Sequence, residues 1–210
     1  QTNSKPEDWT FGAVETINIS GVVDGMIDAT STTLGTFQVA VNVTGEQIEN
    51  NVWSVAYPAP TVTGDILTRG TVAINAGKYV TAGSAENKLA NVGGAITAEG
   101  AITATGYATL AGAIESTKAT VALAGHTNAA DVVTADGNID ITQQAMVASG
   151  ITSTKGNITI DNDYTESAWL GVYAGDITAT AGSVSLNQAV EKETGVYLVA
   201  QYAGAITAGK

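Results

Sequence analysis

Few side chains in this 210-residue sequence could do chemistry. His126 is the single histidine, and Asp131 follows five residues later. A Ser-His-Asp hydrolase would have to use that pair, with a serine presented on a sharp turn. The chain has no Gly-x-Ser-x-Gly elbow to present one. His126 is therefore expected to be a solvated residue of an insertion, "AGHTNAAD", Ala124 to Asp131. The densest acidic run is "DNDYTE", where Asp161, Asp163 and Glu166 could offer oxygen ligands to Ca2+. Counted from Asp161, the sixth and twelfth loop positions are Glu166 and Val172, which excludes an EF-hand. Two readings remain, a Ca2+ loop and a solvated turn; no other cofactor is expected. "ADGNID", Ala135 to Asp140, reads first as a turn at Asp136-Gly137. Trp169 and Tyr173 in "ESAWLGVY" could form a carbohydrate-stacking platform, or else pack at a corner or an interface. Asn18, Asn42 and Asn157 open N-x-[ST] sequons. Asn18 and Asn42 each lie between apolar residues, which on a strand puts the asparagine on the opposite, exposed face.

Other chemistries are excluded by what is missing. Acids outnumber bases 20 to 8, the net charge is −12, and Arg69 is the one arginine. A nucleic-acid binder needs clustered Lys and Arg, so nucleic acid is not an expected partner. With no cysteine there can be neither a disulfide framework nor a thiolate zinc site. Gly77-Lys78 and Gly209-Lys210 lack the context of a phosphate loop. A polysaccharide lyase or hydrolase needs paired carboxylates, or Arg and Lys, on one face. Outward positions here are mostly Thr, Ala and Asn, so an enzyme is not the favoured reading. No run of 18 apolar residues spans a membrane. Gln1 in place of Met fits removal of a signal peptide, hence a secreted or cell-surface protein.

The elements that would position these residues are strands. Helical periodicity is almost missing, whereas "FQVAVNV" places Phe37, Val39, Val41 and Val43 on one face. Residues 1–63 hold all three prolines and both phenylalanines, and form an expected N-terminal β region that caps the later repeats or pairs with a neighbour. From Gly64 to Lys210 the chain changes to short phrases begun by glycine. "GNIDI" at Gly137, "GNITI" at Gly156 and "GDITA" at Gly175 are 19 apart, and "GVYLV" begins at Gly195. Within "GAITAEGAITATG" the period shortens to six, with Gly94, Gly100, Gly106 and Gly112 in step, so three hexads make one coil.

Coils of 18–20 residues predict an all-β fold: a β-solenoid, either a parallel β-helix or a β-arch stack. About seven coils from Gly64 would span on the order of 35 Å. Ile139, Ile158 and Ile177 are expected to form one inward ladder, and Asn138, Asn157 and Asp176 an outward one. The 25 residues from Gly112 to Asp136 require an insertion, placed at Ala124 to Asp131.

The phrases at Gly137, Gly156 and Gly175 resemble filamentous haemagglutinin-type repeats. That resemblance, over residues 64–210, implies a right-handed parallel β-helix on a secreted adhesin. More loosely, the chain is similar to amyloid-like β-arch proteins of archaeal cell sheaths, which implies polymerised rings or tubes outside the cell. The terminal "GAITAGK", Gly204 to Lys210, is one more repeat phrase with no cap after it. It is expected to be covered by a second copy, because open strand edges invite pairing. The expected function is thus an extracellular structural protein that self-assembles into a filament, sheath or surface layer. The alternative is an adhesin whose coil at His126 or Trp169 binds a glycan or host ligand.

Overall fold

The structure is a computed structural model that describes residues 16–30, 38–44, 61–76, 90–162, 170–188 and 199–210. Every regular element in these segments is a strand, and all pairings are parallel. No described helix is long and apolar enough to cross a membrane.

Sheet A contains β1 (Thr16–Ile19), β4 (Ala40–Thr44), β7 (Val72–Asn75), β10 (Ile102–Thr105), β13 (Val121–Leu123), β16 (Ile139–Thr142), β19 (Ile158–Asn162) and β22 (Val184–Gln188), hydrogen-bonded in that order. Sheet B contains β2 (Val22–Val23), β5 (Thr61–Val62), β8 (Ala90–Val92), β11 (Ala108–Leu110), β14 (Asn128–Ala129) and β17 (Met146–Val147). Sheet C contains β3 (Ile27–Ala29), β6 (Ile66–Thr68), β9 (Ile96–Ala98), β12 (Ile114–Ser116), β15 (Val133–Ala135), β18 (Ile151–Ser153), β21 (Ile177–Ala179) and β24 (Ile206–Ala208). A separate pair, β20 (Leu170–Tyr173) and β23 (Val199–Tyr202), takes the place of sheet B in the last two rounds. The chain therefore goes round eight times, through sheets A, B and C in the first six rounds and through A, the separate pair and C in the last two. This arrangement is consistent with a β-solenoid or parallel β-helix.

Alternation within each short strand decides what faces inward. Each strand of sheet A sends two apolar residues into the core, as with Ile102 and Ala104, Val121 and Leu123, or Ile139 and Ile141. Sheet C sends in one branched residue and then one small one: Ile96 and Ala98, Ile114 and Ser116, Ile151 and Ser153. All three sheets contribute to a single buried cluster. The inward hydroxyls are satisfied at the corner leading to sheet A. Ser153 Oγ donates to the Gly137 carbonyl at 2.8 Å and accepts from the Gly156 amide at 3.0 Å. Ser116 Oγ repeats this with the Gly100 carbonyl and the Ala119 amide. Burying a hydroxyl is tolerable only with such partners.

The hexads at Gly94 to Gly112 are the three sides of one circuit. Ile96 and Ile114 are direct partners in sheet C, while Ile102 lies in sheet A and Ala108 in sheet B. The glycines stack because backbone lies against backbone: a Cβ on Gly112 would meet the Gly94 carbonyl carbon at 2.5 Å and the Ala95 amide nitrogen at 2.6 Å.

Three expectations are corrected. The ladder Ile139–Ile158–Ile177 is split: Ile139 and Ile158 pair in sheet A and continue to Val184, whereas Ile177 pairs with Ile151 and Ile206 in sheet C. Its polar companion is split in the same way. The Asn138 carboxamide accepts from the Asn157 amide nitrogen, but Asp176 accepts from Ala205 on another corner. Finally, there is no insertion at Ala124 to Asp131, because Leu110 pairs with Ala129 and Ile114 with Val133, each 19 residues on.

The composition change near residue 63 is not a break in any ladder. Across it β4 pairs with β7, β5 with β8 and β3 with β6, so the described circuits include strands from Thr16 onward.

Candidate functional site

Between sheets A and B the chain must reverse sharply in each short circuit. Three successive circuits do so with one residue in the left-handed region: Gly106 (φ 76°), Gly125 (φ 71°) and Gln143 (φ 60°). Two of these are glycines, which adopt that conformation freely; the third carries a side chain, at a cost of about 1–2 kcal/mol. A Cβ on Gly125 would lie 2.7 Å from the Gly106 nitrogen, so the column is tight as well as left-handed. Thr127 fastens the middle corner, its buried hydroxyl donating to the Ala124 carbonyl at 2.8 Å.

The residue after each left-handed one forms a second column: Tyr107, His126 and Gln144. Tyr107 and His126 stack, with ring centroids 4.1 Å apart and planes 12° from parallel. Burial holds the imidazole pKa below its ordinary value by desolvating the charged form. Gln144 is 5% exposed, and its Oε1 is buried with no hydrogen-bond partner. An orphaned buried acceptor is uncommon and costly. Two residues further along each strand stands a third column, Thr109, Asn128 and Met146, in direct register. The second and third columns, with Ala108, line a cavity of about 200 Å3.

The other expected site residues are not brought together here. Asp161 lies on β19, opposite Thr142 and Asn187. Asp163 and Glu166 fall outside the described residues, as does Trp169. Among the described residues no group of three His, Asp or Glu side chains could hold a metal ion. Tyr173 is not part of a platform: it is fully buried, donates its hydroxyl to the Ala145 carbonyl at 2.9 Å, and stacks on Tyr202 at 5.1 Å. Asn18 is exposed and accepts at 2.9 Å from the Nδ2 of Asn42, which is half-buried. Asn157 is exposed, and its Oδ1 accepts from the Ser183 amide.

Sequence reasoning missed the corner columns. The signal was a repeated phrase, "GYAT" at Gly106 and "GHTN" at Gly125, 19 residues apart and outside the Gly-x-Ile-Thr pattern.

The two ends of the stack form the other feature of functional interest. Inward residues of the inner circuits are essentially inaccessible, whereas Ile17, Val23 and Ile27 in the first circuit and Val184, Leu186 and Tyr202 in the last are only partly buried. Ile206 is 48% exposed, although its ladder partner Ile177 is 1% exposed.

Comparison with protein-family models, curated proteins and solved structures finds no match for the chain.

Proposed function

We propose that the three sheets close into a β-solenoid and that the chain is an extracellular structural protein, assembling with copies of itself through its open sheet edges. The observation that carries this reading is Ile206, a core-type residue left half exposed on an edge strand. The first described circuit carries a matching pattern. Ile206-Thr207-Ala208 meets the pattern of Ile27-Asp28-Ala29, and Val184-Ser185-Leu186 that of Ile17-Asn18-Ile19. A second copy stacked head to tail would continue both ladders in parallel register. Such a contact does not use the same patch on both partners, so it repeats into an open polymer. The surplus of acids would keep the outer faces soluble and make assembly sensitive to divalent cations, Ca2+ among them.

Light scattering across a concentration series, with negative-stain microscopy, tests this. Regular filaments, rings or sheets are expected, and Ile206→Asp should abolish them while leaving the β-rich circular dichroism unchanged. A persistent monomer with and without Ca2+ would sink the reading. The adhesin reading, with the sheets as a rigid stalk, draws on the His126 corner instead. Its polymer-free signature is retention on a glycan array.

A further inference from the structure

We infer that the corner formed by Tyr107, His126 and Gln144 binds a single neutral polyhydroxylated ring, such as one sugar residue. Four observations lead there. The cavity, about 200 Å3, falls below the roughly 300–1,000 Å3 of drug-sized pockets, which suits one ring. None of its described lining residues is Asp, Glu, Lys or Arg, so among them a charged ligand would lose hydration without gaining a counter-charge. Thr109, Asn128 and Gln144 supply a hydroxyl and two carboxamides, donors and acceptors both, with Met146 as the apolar member. The backbone and a buried side chain are both held at a cost on this wall: Gln143 is left-handed, and the next residue, Gln144, has an unpaired buried oxygen. Strain and an orphaned acceptor at neighbouring positions mark a place kept for binding rather than for folding.

The Tyr107–His126 stack gives this wall rigidity. Each ring already covers one face of the other, so a ligand would not have to order them. Turned toward the cavity, the Gln144 carboxamide would bring Oε1 to a ligand hydroxyl and satisfy the orphan. Because the corner lies in the middle circuits, away from both ends, the inference does not depend on assembly.

The single histidine makes the test direct, since the imidazole resonances in a proton NMR spectrum can arise only from His126. The full chain is titrated with D-glucose, D-galactose and N-acetyl-D-glucosamine, and with the charged D-glucuronate and D-glucosamine. A saturable shift from at least one neutral sugar is expected, with little from the charged pair. Gln144→Met, which keeps the shape and removes the acceptor, should weaken binding about tenfold, the effect of losing one well-buried hydrogen bond. Should that variant not fold, Thr109→Val tests the neighbouring column, with a several-fold loss expected. The inference is overturned if no neutral sugar gives a saturable shift, if the charged sugars bind as well, or if the folded variant binds like the parent chain.

Discussion

Tyr107 and His126 stand at the same corner of consecutive circuits, 19 residues apart in sequence, with their rings 4.1 Å apart centroid to centroid. The strand spacing of about 4.8 Å brings them into stacking distance, and the stack in turn desolvates the imidazole.

That desolvation fixes the sign of a pH effect. The folded state holds the His126 pKa below its ordinary value, so it binds fewer protons than the unfolded chain. This contribution to stability is complete above the ordinary value near 6.5, is lost as pH falls through it toward the folded pKa, and levels off below. Thermal unfolding followed between about pH 7.5 and pH 5 should show a declining midpoint. His126→Phe, which keeps a ring in the stack, should remove that part of the decline.

Gln143 occupies a position that its two predecessors in the column fill with glycine. Gln143→Gly is expected to raise the unfolding free energy by about 1 kcal/mol, read as a higher urea midpoint at unchanged slope. Gly125→Ala should lower it by more than that, because its Cβ has no space beside Gly106. Equal effects of the two substitutions would contradict the left-handed column.

In the core, Ile139→Ala should cost about 2–5 kcal/mol by opening a cavity between Val121 and Ile158. Ser153→Ala should cost about 1–3 kcal/mol, since it strips the Gly137 carbonyl and the Gly156 amide of a shared partner. Denaturant unfolding of the two single variants checks both values.

A head-to-tail contact has a defined register, and the absence of native cysteine makes it testable by cross-linking. In the doubly substituted chain Asp28→Cys, Thr207→Cys, the new thiols of one molecule lie at opposite ends of the stack, about 34 Å apart for seven intervals. That is far beyond the Cα separation of about 7 Å that a disulfide allows. Between stacked copies they would be direct neighbours. Oxidation should give a ladder of covalent oligomers on a denaturing gel, and either single variant, whose thiols would sit a full stack apart, should stay monomeric.

The fold was legible where one kind of physics acted alone. Alternation from Val39 to Val43 (Phe37 lies outside the described residues) and the six-residue step from Gly94 to Gly112 read out strands and sides directly, because inward positions demand aliphatic residues and the corners demand glycine. The phase was lost where two corners impose the same demand. Gly156-Asn-Ile-Thr leads into sheet A and Gly175-Asp-Ile-Thr into sheet C, and both need a close backbone approach followed by an inward isoleucine. Only the sheet B phrases differ, and those short, variable strands carry little periodic signal. His126 was misplaced for that reason: Thr127 and Gly125 make a tight turn out of residues that read as a loop. Of the corner site, the glycines and aromatics were visible, but their alignment one above another depends on the corrected phase.

All the ladders described share a further property: each strand bonds only to strands one circuit before or after it. A pulling force applied along the stacking axis would therefore load the hydrogen bonds of one circuit in series with those of the next. The chain should yield in equal steps, peeling from whichever end is held least firmly, and each step would release the contour length of a single circuit. In a mechanical trace the short middle circuits would appear as a uniform sawtooth, and the longer ones as wider teeth.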